Sequence, residues 1–250
     1  MKRAFIIMLA LTMLIGTVWA GPLDITDGLE GSAYYPEESA KETAAYLVTY
    51  RYPMVVPQYD SDADINVFFE YLMNDFLLFT APMFAEEAIE DIPCYTHVNY
   101  QVTCNDSVYF SVLFTLEQFM GAATGENLTA YSFMRQGDYA GAVLSLADIM
   151  CVSDPNIKDG LMYERATNKV NNLVYDLIWE IIDEQIAESS FDYYEGLTID
   201  DLKAEFYPES DFYIDQDHNV VFFIQPAMIS MAAAGVLRYT FSIAELMSEL

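Results

Sequence analysis

A chain of 250 residues that is 54% apolar and carries 19 Tyr, 16 Phe and 2 Trp has the material for a packed core, which excludes intrinsic disorder. Ten Lys+Arg against 39 Asp+Glu give a formal net charge of −29. That excludes nucleic acid as a partner, because phosphate binding needs clustered basic side chains to displace counterions, and it disfavours anionic lipid surfaces.

Lys2 and Arg3 precede an apolar run over residues 4–15, and Val18-Trp19-Ala20 then offers small residues at the two positions a signal peptidase reads. This is the pattern of a secretory signal peptide cleaved between Ala20 and Gly21. The alternative is an uncleaved anchor, but Gly16, Thr17 and Gly21-Pro22 suit a cleavage site better. No Cys follows the run, so a lipoprotein anchor is not indicated. Residues 1–20 hold two bases and no acids, so the exported chain has 39 acids against 8 bases, a charge of −31. An extracytoplasmic location, periplasm or medium, is expected, with no membrane span after processing.

Export allows disulfides, and three cysteines permit at most one. Cys94 and Cys104 fall on one predicted strand, where ten residues span ~33 Å, far beyond the ~7 Å Cα limit of a disulfide. A bridge would therefore join Cys151 to Cys94 or to Cys104; the alternative is three reduced thiols. There is no C-x-x-C, and His97 and His218 lie far apart in sequence, so neither a structural zinc site, nor a redox motif, nor any cofactor is expected.

Residues 21–43 are acidic and rich in Gly and Ser without a periodic apolar face, and read as a flexible leader to a single domain over 44–250. Residues 44–57 are β-branched and aromatic, with Pro53 confining them to an edge or splitting them into two strands. Ile65, Phe68, Phe69, Leu72, Met73, Phe76 and Leu77 recur with helical spacing, with Asp62 or Asp64 as cap and Pro82 as terminator or kink. Residues 96–104 alternate, Val98, Tyr100, Val102 and Cys104 sharing one face, and Val108, Phe110, Val112, Phe114 and Leu116 form the next apolar face. The faces coincide if paired residue numbers sum to an even number, as in a three-residue loop that pairs Cys104 with Val108. Residues 121–151 read as a turn, two short strands around Gly137 and Gly141, and a short helical end.

The longest helix follows Ser153-Asp154-Pro155, with Gly160 as a break and a stripe of Val170, Leu173, Val174, Leu177, Ile178, Ile181, Ile182 and Ile186. Thr198 and Asp201, and later Ser242 and Glu245, form capping-box patterns. Strands at 211–214 and 220–225 flank a turn over 215–219, and a last strand near 235–240 leads to a terminal helix. Hairpin-linked strands with inserted helices predict an α+β fold, an antiparallel sheet packed against several helices.

No G-x-S-x-G, H-E-x-x-H or Gly-rich phosphate loop is present. His97 falls on the polar face of its strand and His218 in a hairpin turn, both read as solvated. Asp60, Asp62 and Asp64 begin like a calcium loop, but Ile65 and Tyr71 stand where Gly and Glu belong, so they are read as a helix-start acid cluster. Residues 192–217 hold nine acids against one base, Lys203. Of these, Asp200, Asp201, Glu205, Glu209, Asp211, Asp215 and Asp217 are the candidate docking surface for a basic partner; the plainer reading is a solvated face that maintains solubility.

The succession of Val48-Thr49-Tyr50 with Pro57, Asp64-Ile65-Asn66, the hairpin around Asn105, Gly121-Ala122-Ala123, Leu144-Ser145-Leu146-Ala147-Asp148-Ile149, Phe212-Tyr213-Ile214, Phe222-Phe223-Ile224-Gln225-Pro226 and Ala233-Ala234-Gly235 resembles the extracytoplasmic RsiV-type domain. That domain also occurs beside peptidoglycan deacetylases of the PdaC type. The resemblance implies an α+β domain without an assigned catalytic site, used in RsiV to bind lysozyme. It departs from the family pattern at Thr124, where a His is common, and at Ala227 and Met228, where a Tyr and a Glu are common. Three residues ahead of the apolar segment leave no sigma-binding region and no deacetylase follows, so the expectation is the binding module standing alone. The expected function is an exported, non-catalytic binding or sensing domain at the cell envelope, recognising lysozyme or a cell-wall component. The alternatives are a carboxylate-dependent hydrolase of wall glycan and an acidic exported domain with no specific ligand.

Overall fold

A computed structural model describes residues 21–26, 30–36, 44–89, 91–154 and 159–250; the signal-peptide residues, and Pro155 at the expected start of the longest helix, lie outside them. The elements run β1 (Ile25–Thr26), β2 (Glu30–Tyr35), β3 (Tyr46–Arg51), β4 (Met54–Val55), α1 (Asp60–Asp75), a π-helical turn (Phe76–Thr80), α2 (Ala81–Glu86), β5 (Cys94–Asn105), β6 (Tyr109–Phe119) and β7 (Thr124–Met134). Then come α3 (Leu146–Ile149), α4 (Gly160–Glu188), α5 (Ile199–Glu205), β8 (Phe212–Ile214), β9 (Asn219–Ile224), a 3₁₀ turn (Ala232–Ala234), β10 (Leu237–Ser242) and α6 (Ile243–Glu249). The fold is α+β. Its five-stranded sheet has the order β2-β3-β5-β6-β7, its three-stranded sheet β10-β9-β8, and β1 pairs with β4. Every pairing is antiparallel except β3 with β5. A parallel pair needs a crossover, and α1, the π turn and α2 supply it.

The crossover helix packs as its spacing predicts, with Ile65, Phe69 and Met73 buried against Val98, Phe110, Val112 and Phe114 of the sheet. Its start is held by Asp62, whose Oδ2 accepts from the Gln58 and Tyr59 amides at 2.9 and 3.0 Å. Pro82 does not end the helical run. Ala81 N–H reaches back to Phe76 O, a π turn, and Pro82 sits in the first turn of α2, where its missing donor is harmless.

The other face of the sheet is also covered. Leu113, Leu128 and Ala130 pack on Phe223 of β9, while Phe212, Phe222 and Ile224 pack on Val174, Ile178 and Ile182 of α4. The layers therefore run helix, five-stranded sheet, three-stranded sheet, helix. Where the sheets meet, Ser111 Oγ accepts from Ile214 N at 3.1 Å and lies 2.8 Å from Ser132 Oγ, and the Gln225 amide pairs with both backbone groups of Leu128.

Four expectations are corrected. Residues 21–26 and 30–36 of the expected flexible leader belong to the folded domain, because β1 and β2 lie within them and β2 pairs with β3 from Glu30↔Arg51 to Tyr35↔Tyr46. Leu23 is 3% exposed, and the Asn105 side chain bonds both its N and its O. The β5–β6 register keeps an even sum from Tyr95↔Phe119 to Val102↔Val112, but Cys104 faces Ser111 instead of Val108. A bulge at Thr103 inserts one residue and turns Cys104 away from the face of Val98, into the α4-side core. Residues 124–134 form one strand of 11 residues, not two short ones, because β6 offers it an equally long edge; Gly137 and Gly141, both at positive φ, lie in the turns beyond. The longest helix opens at Gly160, which is its first residue and no break, after Asp159 as N-cap.

Both capping boxes form as read. Thr198 N donates to Asp201 Oδ2 at 2.8 Å, and Ser242 N donates to Glu245 Oε2 at 2.7 Å.

Candidate functional site

α4 ends at Ser189, whose φ of 52° is left-handed and turns the chain sharply. The segment that follows is stitched to the segment after β9. Tyr193 forms a bridge with Ser230, Tyr194 N donates to Ile229 O at 3.1 Å, and the Tyr194 hydroxyl donates to Ala227 O at 3.1 Å. Between these segments and α5 run three adjoining open depressions of ≈ 600, 350 and 250 Å³ that share lining residues. Together they form one groove. Phe191, Tyr194, Met228 and Met231 supply its apolar surface, and Asp192, Glu195, Asp201 and Glu205 its charge; none of the lining residues is basic. Met231 is 63% exposed, a large apolar side chain left open to water.

The seven candidate acids divide by what they touch. Asp201 caps α5, and its bonds to Thr198 hold its carboxyl below the usual range. Asp215 closes the β8–β9 turn, accepting from the Asp217 and Asn219 amides and from Asn219 Nδ2. Glu209 accepts from Asn171 Nδ2 at 2.6 Å and Asp211 from Tyr207 N at 2.9 Å. Burial pushes Asp211 up to about 6 despite that bond. Asp200, Glu205 and Asp217 are exposed, and their carboxylates have no hydrogen-bond partner among the described residues. The groove gathers Asp201 and Glu205 from the candidate set and adds Asp192 and Glu195, which were counted in the acidic stretch but not singled out. Among described residues, the aromatic and thioether half of the groove comes from loops, where no periodicity marks it.

All three cysteines are free, so Cys151 forms a bridge with neither Cys94 nor Cys104 in this structure. Cys94 and Cys104 are 2% and 1% exposed, near opposite ends of β5 and in different cores. His97 shares a 2.5 Å hydrogen bond with Thr49 Oγ1 and stacks on Tyr95. His218 is not the solvated turn residue its neighbours suggested. Its Nε2 contacts Asp106 Oδ2, and Cys104 Sγ lies 3.7 Å from that same oxygen. Burial opposes the Asp106 charge, but His218 and the Tyr109 and Val108 amides outweigh it and hold this carboxyl low. Burial, then the Asp106 carboxylate, push the Cys104 thiol up to about 12. With the carboxylate standing between thiol and imidazole, this is not a Cys–His nucleophile pair.

No protein-family profile matches the sequence, and no curated protein matches it. Among solved structures, the chain is similar to a member of the DUF3298 family from Bacteroides fragilis, with a TM-score of 0.50, 14% identity, and coverage of 90% of this chain and 92% of that one. It is also similar to a DUF3298 family protein from Pseudomonas aeruginosa, with a TM-score of 0.49, 13% identity, and coverage of 91% and 93%. At such identity the likeness is one of fold. The Bacteroides protein shares the α+β architecture of this chain over nearly its whole length.

Proposed function

We propose that this chain is an exported, non-catalytic binding domain of the RsiV type, acting at the bacterial cell envelope, and that its groove receives a basic wall-active protein of the lysozyme class. The observation that carries the reading is the groove itself, where exposed Tyr194, Met228 and Met231 lie among carboxylates with no base in the lining. Carboxylates steer a cationic partner into encounter, and thioether and aromatic side chains hold it once water is expelled. Among the described residues no helix is long and apolar enough to cross a membrane.

Calorimetry with lysozyme at ~0.15 M salt, where the Debye length is ~8 Å, is the test. Saturable binding of defined stoichiometry supports the reading. Loss of all heat, or equal binding of cytochrome c, refutes it. Kinetics separate the two halves of the groove: Glu195→Lys with Glu205→Lys slows association, whereas Tyr194→Ala with Met231→Ala speeds dissociation. Asp201 is left in place because it caps α5. Export predicts Gly21 as the first residue of the secreted protein, read by N-terminal sequencing.

A further inference from the structure

We propose that Cys104, Asp106 and His218 form a binding site for a single borderline divalent cation, zinc, that clamps the β5–β6 hairpin to the β8–β9 hairpin. Among the described residues this is the one group of three metal-ligating side chains whose donor atoms converge, all lying within 4.8 Å of one another. Cys104 and Asp106, at the end of β5 and in the turn after it, meet His218 from a turn 112 residues beyond Asp106, so local sequence does not account for the convergence.

Each donor is aimed by its own surroundings. The bulge at Thr103 turns Cys104 toward the second sheet. Asp106 Oδ1 is taken by the Val108 and Tyr109 amides, which leaves Oδ2 toward Cys104 and His218. His218 stands at φ 61° in the turn that Asp215 closes, and its ring packs T-shaped with Tyr109, the centroids 5.3 Å apart.

The dimensions and the donor chemistry agree. Zinc bonded to sulfur at ~2.3 Å and to nitrogen and oxygen at ~2.0–2.2 Å places tetrahedral donors roughly 3.3–3.6 Å apart. The Cys104 to Asp106 separation of 3.7 Å already matches. His218 and Asp106 touch directly, and a small rotation of the half-exposed imidazole admits the ion. One sulfur, one nitrogen and one oxygen suit zinc, whereas magnesium and calcium require shells of oxygen. Cys104 closes the site from the core at 1% exposure, while the side chains of His218 and Asp106 are 40% and 33% exposed. The fourth position opens to water. As the metal–sulfur bond forms, the S–H bond breaks and the thiol proton passes to solvent.

Titration of the metal-free protein with zinc chloride, and with cobalt(II) as a spectroscopic probe, tests this. One equivalent of cobalt should give a thiolate-to-metal charge-transfer band, and zinc should displace it and raise the unfolding temperature. The band should vanish in Cys104→Ser and persist in Cys151→Ser. His218→Asn is the decisive variant, because Asn tolerates the left-handed turn and leaves the core untouched; it should weaken zinc binding at least tenfold. Absence of the band, its loss in Cys151→Ser, or unchanged affinity in His218→Asn would overturn the proposal, the last assigning the ion to the acidic surface.

Discussion

Replacing Asp211 by Asn should stabilise the protein at neutral pH. Asp211 is half-buried between α5 and β8, its carboxylate accepts from Tyr207 N at 2.9 Å, and burial raises it from an ordinary value of 3.8 to about 6, with Glu209 adding to the rise. Between those two values the folded chain keeps a proton on this group that the unfolded chain has lost. Stability contributed by the group is therefore complete below pH 3.8, falls as pH rises toward 6, and stays lower above that. At 1.36 kcal/mol per unit the ceiling is about 3 kcal/mol, and water reaching the half-buried carboxylate reduces it, so a gain of ~1–3 kcal/mol is expected at pH 7.5. Asparagine keeps the oxygen that accepts from Tyr207 and removes only the charge. Urea unfolding of both proteins at pH 3.5 and 7.5 reads the difference directly, and comparing variant with parent cancels the other acids. The curves should coincide at the lower pH and separate at the higher. A variant equal to or less stable than the parent at pH 7.5 would refute the argument.

Asp62→Ala should cost ~3–5 kcal/mol in urea unfolding, because it strips the carboxylate partner, 3.4 Å away, from a buried Arg135 and removes the acceptor of the Tyr59 amide that opens α1; Asp62→Ala with Arg135→Met should recover much of that loss. Leu23→Ala should cost ~2–5 kcal/mol by the same assay, a loss that a structureless leader would not show. In thiol labelling of the native, metal-free protein, the exposed Cys151 should react fast and Cys94 and Cys104 only on unfolding.

What the sequence makes legible is whatever one face or one short spacing encodes. The stripe on α4 reads correctly as far as Ile182 because a single side of that helix is buried, with Val170, Val174, Ile178 and Ile182 at its centre, whereas Ile186 at its end is exposed. The caps at Thr198 and Ser242 read correctly because a capping box spans three residues. β6 reads only in part. Phe110 to Phe114 are buried without interruption because a helix covers one face and a second sheet the other, so alternation no longer reports on a single core. β2 carries only a short signal. Besides its backbone ladder with β3, it contributes Tyr35 and Ala33 to a small core with Tyr46 and Val48, and a Cβ on Gly31 would meet the Tyr50 hydroxyl at 2.3 Å, so that ring would have to move; these contacts are set by a partner strand.

The acids show how a charge count misleads about recognition. Asp201, Glu209, Asp211 and Asp215 spend their carboxylates on amides and side chains that hold α5 and the β8–β9 hairpin in place, so the long-range field of the region remains but its contact chemistry shrinks to fewer groups. Of the three residues at which the sequence departs from the resembled pattern, Met228 alone lines the groove, at its acidic end; Ala227 beside it accepts from the Tyr194 hydroxyl, and Thr124 sits at the start of β7 opposite Phe119. Met228 gives the lining a thioether at this point, and the negative charge of the groove comes from Asp192, Glu195, Asp201 and Glu205 around it. On the proposed reading, a surface divided in this way selects a partner whose basic side chains stand beside an apolar one, a narrower requirement than net charge alone would set.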